Sequence, residues 1–307
     1  MRRKIIRQKS AYTVTLPIKW IRDHHLEGKA EVEVEEEADA LIIRTEKKAT
    51  LETASLTLEK STPEYYRIMI ENHYLKGFDM LNCKLTDAKA FPIIQKVVSN
   101  LIGFEVIEHK EGFCKIAATT QPSTEQFDTL LRRCFNIILY SQKIVQEDLA
   151  RLSFHRLSEM QAQSDDARRF LLFCTRALHK GTITSRRDES FMHLLLERLI
   201  LIEHDHYYLY TKISEMKKLK VRQEVKEFYA KASHMFDLFK EMLYKKDLHN
   251  FSEINKDWEE MYFHQGQNLF TGCTKEESIV IYHAMHLSKL IFLIAQPNIT
   301  QQNILNS

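Results

Sequence analysis

From Thr124 to Ala295 apolar residues recur at three- and four-residue spacing with few interruptions, a period that an α-helix satisfies while burying one face. Breaks near Ser164, Gly181 to Arg187, His249-Asn250 and Gly272 divide this stretch. They predict helices over 124–160, 165–180, 188–218, 220–247, 251–270 and 275–296, a six-helix array divisible into two three-helix repeats. Only 7 Gly and 5 Pro occur in 307 residues, so the composition itself favours long helices over many short turns. The aliphatic and aromatic stripe Phe228, Met235, Phe239 and Met242 reads as bundle core.

The first 45 or so residues have a different period. Residues 3–9 and Tyr12 to Leu16 alternate as short strands, and Pro17 presets a helical turn that ends near His25. Ala30 to Glu36 and Leu41 to Arg44 form a hairpin about Ala38 and Asp39. A unit of this size holds little core, so dimerisation is expected. Between the two regions the pattern is α/β: strands at Leu51 to Leu58, Phe78 to Leu85, Phe104 to Glu108 and Phe113 to Thr119, and helices at Pro63 to Lys76 and from Thr86 or Asp87 to Leu101.

The net charge of +2 conceals opposed local fields. Before residue 26 stand Arg2, Arg3, Lys4, Arg7, Lys9, Lys19 and Arg22 against Asp23 alone, and a run of glutamates follows. The five cysteines form no CxxC pair, which suits a reduced cytoplasmic protein better than a disulfide framework or a zinc site. No signal peptide and no run near the ~18 apolar residues needed to cross a bilayer are read from the chain, so a soluble protein without membrane insertion is expected.

A cationic strand-and-loop segment with hydroxyls and an aromatic is suited to phosphate recognition, because arginine and lysine neutralise the nucleic-acid backbone while hydroxyls fix register. Arg3-Lys4-Ile5-Ile6-Arg7-Gln8, Ser10-Ala11-Tyr12-Thr13-Val14-Thr15-Leu16-Pro17-Ile18-Lys19-Trp20, Leu26-Glu27-Gly28 and Val32-Glu33-Val34 resemble the swapped-hairpin AbrB/SpoVT DNA-binding family. The resemblance implies a dimeric β-barrel of exchanged hairpins binding double-stranded DNA through Arg3, Lys4, Arg7, Lys9, Tyr12, Thr13, Lys19 and Arg22, with Trp20 in the dimer core. Two departures stand out: Lys9 and Ser10 replace the usual loop glycine, and Glu27-Gly28 replaces the usual Pro-Gly.

Taken with Leu101-Ile102-Gly103-Phe104-Glu105-Val106-Ile107-Glu108 and Phe173-Cys174-Thr175-Arg176, the whole chain is similar to the archaeal PhoU-domain regulators of phosphate uptake. That resemblance implies a multidomain protein: an AbrB-like domain over 1–47, an α/β connector over 48–122, an all-α PhoU-like bundle over 123–298 and a disordered tail over 299–307. The family's Glu-x-x-x-Asp metal signature is incomplete. Leu201 stands where the first glutamate belongs, Asp205 survives, and Leu287 to Phe292 holds neither acid. No cofactor and no metal are expected, with Glu203, Asp205 and His206 the weak metal candidates.

Glu203-His204-Asp205-His206 is the densest set of ligand types, and Glu203 with His206 has the spacing used by di-iron bundles. A complete site needs a second Glu-x-x-His, for which His283 and His286 supply only a partial match, and residues 203–206 cover a full helical turn. His24-His25 reads as a helix cap. No Gly-rich phosphate loop or nucleophile elbow appears, so the chain is not expected to be an enzyme. The expected function is transcriptional regulation, with the bundle available to a protein partner or small effector. An interaction adaptor for a transporter or toxin is the alternative, and a metal-dependent bundle enzyme is weaker still.

Overall fold

Two short antiparallel hairpins and one helix make up what is described of the first unit of the chain, Met1–Leu51. The computed structural model describes residues 3–304 apart from 10, 27, 29, 30, 38, 39, 46–50, 88, 182–185, 217–219, 246 and 247. Strand β1 (Ile5–Gln8) pairs with β2 (Ala11–Val14), Ile5 opposite Val14. Helix α1 (Ile18–Asp23) starts after Pro17, whose φ of −63° suits entry to a helix. Strands β3 (Val32–Glu37) and β4 (Ala40–Thr45) pair with Val34 opposite Ile43. The expected element order is present, as two separate two-stranded sheets. The expected turn at Ala38 and Asp39 and the boundary at residue 47 lie outside the described residues.

The second unit, Glu52–Ser307, contains both the α/β layer and the helices. Its sheet has the order β5-β6-β8-β7. Here β5 (Thr53–Leu58) runs parallel to β6 (Met80–Leu85), while β8 (Phe113–Ala118) is antiparallel to both β6 and β7 (Phe104–Lys110). A parallel pair needs a crossover, and α2 (Pro63–Leu75) supplies it. The Thr62 hydroxyl accepts from the Tyr65 N–H at 3.3 Å, and Pro63 occupies the first helical turn, where its missing N–H is harmless. α3 (Ala90–Ser99) precedes β7. Along β6, Leu81, Cys83 and Leu85 are buried and the intervening residues are not, so one sheet face meets Tyr66 and Ile70 of α2 and Ile94 of α3 in a common core.

The bundle comprises α4 (Thr124–Arg151), α5 (Leu157–His179), α6 (Arg186–Ser214), α7 (Gln223–Lys245), α8 (His249–Glu259), α9 (Gly266–Phe270) and α10 (Lys275–Ile304). Ser123 and Gln126 close a reciprocal capping box at the start of α4, each backbone N–H given to the other's side chain at 3.2 Å. α4, α5 and α6 pack on one another, as do α7, α8 and α10, and the triplets join through α6 against α10 and α4 against α7. Phe228, Met235, Phe239 and Met242 are all fully buried.

Four expectations need correction. The first bundle helix ends at Arg151, not 160, and Ser164 lies inside α5. The true break has no glycine or proline. Leu152 adopts the left-handed conformation (φ 54°, ψ 43°), and Arg156 secures the turn by donating to Asp148 at 2.7 Å and Glu147 at 3.0 Å. The predicted helix over 251–270 is α8 and α9 joined by a π-helical turn at Glu260–Gln265. Within α10, Lys275–Gln296 is long and apolar enough to cross a membrane by length and composition, against the expectation that no such run exists; 61% of that segment is buried inside the fold. Finally, α10 continues to Ile304, past the residue 298 boundary where a disordered tail was expected.

One buried ion pair ties the α/β layer to the bundle. Arg176 of α5 donates to Asp79 at 3.0 Å and to the carbonyls of Tyr74 and Phe78, both at 2.8 Å. Asp79 also accepts from Lys180 at 2.8 Å, Gln121 at 3.0 Å and the Glu52 N–H at 3.1 Å. Burial pushes its pKa up, but the hydrogen bonds from Lys180, Gln121 and Glu52 outweigh that and hold it below the usual carboxylate value. Arg176→Met leaves Asp79 buried and two carbonyls unpartnered. The expected loss of unfolding free energy is about 3–5 kcal/mol by urea titration, with a smaller loss for the more exposed Lys180→Met. Equal losses would deny Arg176 this role.

Candidate nucleic-acid interface

All eight residues expected to face DNA are exposed. Opposed residues of an antiparallel pair share a face, so Ile5, Val14, Arg7 and Tyr12 lie on one side of the first hairpin, and Ile6, Thr13, Gln8 and Ala11 on the other. Arg7 and Tyr12 are therefore brought together, and Thr13 is not. Lys9 sits at the turn with φ 50°, the left-handed region that favours glycine, at the position where the resembled family carries its loop glycine. Lys19 and Arg22 are three residues apart on α1 and share a helical face, while Arg3 and Lys4 precede β1. Among the described residues none of these side chains is held in an ion pair or side-chain hydrogen bond. Six cations therefore remain available to an outside anion.

His24 caps α1, its Nδ1–H donating to the Trp20 carbonyl at 2.8 Å with the two rings 4.9 Å apart. Trp20 is half-buried.

The metal candidates on α6 diverge, as a full helical turn requires. Glu203 accepts from the Ser164 hydroxyl of α5 at 2.6 Å. One oxygen of Asp205 accepts from His283 Nδ1 at 2.8 Å and from His286 Nδ1 at 3.1 Å, both on α10. His206 meets the Tyr229 hydroxyl of α7 at 2.6 Å. The histidine pair suspected as a partner for the segment thus meets Asp205, and among the described residues no group of three His, Cys, Asp or Glu side chains is arranged to hold a metal ion.

Their protonation follows from burial and partners. Burial pushes Asp205 up, but the two histidines outweigh it and keep it ionised at a lowered pKa. The hydrogen bond to Asp205 raises His286, and burial drives His206 down to about 4. Burial lifts Glu203 to about 7 despite the Ser164 hydroxyl. Ser164 and Tyr229 escaped the sequence reading because neither stands near the acids in the chain; Ser164 read instead as a helix break.

Comparison with protein-family models, with curated proteins and with solved structures finds no match for this chain.

Between its usual value of 4.5 and about 7, folded Glu203 retains a proton that the unfolded chain releases, so its contribution to stability falls as pH rises through that window. Glu203→Gln keeps a hydrogen-bonding partner for Ser164 and cannot ionise. We expect it to stabilise the fold above pH 7 by up to about 3 kcal/mol and to flatten the pH dependence between 5 and 7, measured by denaturant titration at each pH. A variant less stable than the native chain at pH 8 would refute this.

Proposed function

We propose that the chain is a DNA-binding transcriptional regulator that acts as a homodimer through its N-terminal unit. The observation that carries this reading is the pairing of free cations with uncovered apolar side chains in one small unit. Arg3, Lys4, Arg7, Lys9, Lys19 and Arg22 have no partner among the described residues, while Ile5 is 68% exposed, Tyr12 70% and Leu41 66%. Isolated two-stranded hairpins are marginal in water, and a row of exposed isoleucine, valine and leucine needs a covering surface. A second copy exchanging hairpins to close the β-barrel of the AbrB/SpoVT type would cover those residues and double the cationic face. The left-handed Lys9 at the family's loop-glycine position also favours this family's hairpin.

In this reading the positive residues hold the phosphate backbone, Tyr12 and Thr13 contribute hydroxyls, and the bundle serves for sensing or partner docking. Phosphate uptake is the regulated process that the PhoU-like resemblance suggests. The same exposed apolar row would suit a protein partner if DNA binding were absent.

The purified protein is expected to sediment as a dimer and to bind duplex DNA from its own upstream region more tightly than random duplex, with affinity falling steeply as salt rises. Arg7→Ala with Lys19→Ala should weaken binding and reduce the log–log salt slope by about 2, roughly one for each lost phosphate contact. A folded dimer that ignores DNA at low salt would remove the regulator reading and favour the adaptor. A monomer that binds DNA would remove the exchanged barrel.

A further inference from the structure

A cavity of about 260 Å³ opens where α2, α3 and α5 meet, apart from the acids of α6. Helical spacing builds it: Arg67 and Glu71 of α2, Lys96 and Asn100 of α3, and Arg168 and Leu172 of α5 are each four residues apart, so one face of every helix turns toward the same space. Four cations line it, Arg67, Lys96, Arg168 and Arg169, against the carboxylates of Glu64, Glu71 and Asp165. The carboxylates do not consume this charge. Buried Glu71 takes Nη1 of Arg67 at 2.5 Å and Nη2 of Arg168 at 2.6 Å, and Glu64 takes the other edge of Arg67. Lys96 has no ion pair among the described residues, the other N–H groups of Arg168 have no protein acceptor, and the Arg169 Nε is buried without a partner. Ile93, Val97 and Leu172 provide an apolar wall beside these donors.

If this cluster served only to fasten α2 to α5, the Glu71 pairs would suffice, and neither a hollow nor a spare lysine would be needed. We propose that the cavity binds a small organic acid, an anionic oxygen head on a short apolar body. Glu71 fixes Arg168 so that its free edge, with Lys96 and the Asn100 amide, receives the head, as guanidinium suits planar or tetrahedral oxyanions. The body lies on Ile93, Val97 and Leu172. The volume is just under the ~300–1,000 Å³ of drug-sized pockets, which limits the body to a single ring or short chain. Because α2 and α3 belong to the α/β layer and α5 to the bundle, an occupant bridges both and stabilises their junction by mass action. This inference stands apart from the DNA reading, and either can fail without the other.

The test is calorimetric titration of the full chain with phenyl phosphate and hexanoate, and with inorganic phosphate and acetate as heads lacking a body. At least one bodied acid is expected to bind, at about millimolar Kd or tighter, at least tenfold more tightly than its bare head, and to raise Tm. Which of the two binds distinguishes a phosphoryl from a carboxylate head. The exposed Lys96→Ala variant should fold normally and bind about tenfold more weakly, and Ile93→Trp should abolish binding by filling the cavity. If Ile93→Trp does not fold, Lys96→Ala decides. Absence of binding by all four compounds, equal affinity for the bodied acid and its bare head, or binding unchanged in Lys96→Ala would each overturn the proposal.

Discussion

The side chain of Arg176 is among the largest fully buried in the chain, and its charge can sit there only because Asp79 and two backbone carbonyls surround it. The dependence runs both ways. Asp79 lies just before β6, where its own N–H and the following one both donate to the Glu52 carbonyl, so the start of the parallel strand pair is shaped by the same residue that receives α5. Leu172, one helical turn earlier on α5, belongs to the core of the α/β layer rather than to that of the bundle. A buried pair of this kind adds little net stability over a well-packed apolar substitute, but it tolerates few alternative dockings, because any shift strands a charge. It therefore fixes where the bundle sits on the layer.

Much of the fold was legible in the sequence because it rests on local signals. The change from period two to a helical period near residue 17, the Thr62-Pro63 and Ser123-Gln126 starts and the Gly112 turn all act within a few residues and fall where they were read. The failures share a cause. The break after Arg151 depends on Arg156 reaching back to Asp148 and on Tyr210, far along the chain, accepting the Arg156 N–H while donating to Asp148. No propensity at Leu152 to Arg156 announces that. The apolar character of α10 was underestimated because His283, His286 and Lys289 interrupt it, yet two of those residues face Asp205 within the fold.

The candidate sites show the same division. The cationic segment was read from adjacent residues, and the structure adds which of them share a face. The convergence of Arg67, Lys96 and Arg168 was invisible, since three separated helices contribute one cation each and none forms a motif alone. The acids of α6 were read as a potential cluster from proximity in the chain, and helical geometry scattered them to three neighbours. Adjacency in sequence therefore locates a strand's chemistry well and a helix's poorly.

The π-helical turn between α8 and α9 accommodates one residue more than an α-helical turn would, without ending the helix. Just beyond it, Gly266 lies so close to the Met261 carbonyl and the Met285 sulfur that a β-carbon would approach each to 2.6 Å. The turn therefore acts as a phase adjuster. Removing one residue from it would restore a regular helix but rotate everything beyond by roughly 100°, carrying the one position without a side chain away from α10 and a bulkier neighbour into its place. A change in chain length here would be felt as a mismatch between helices, with no loss of helicity to betray it.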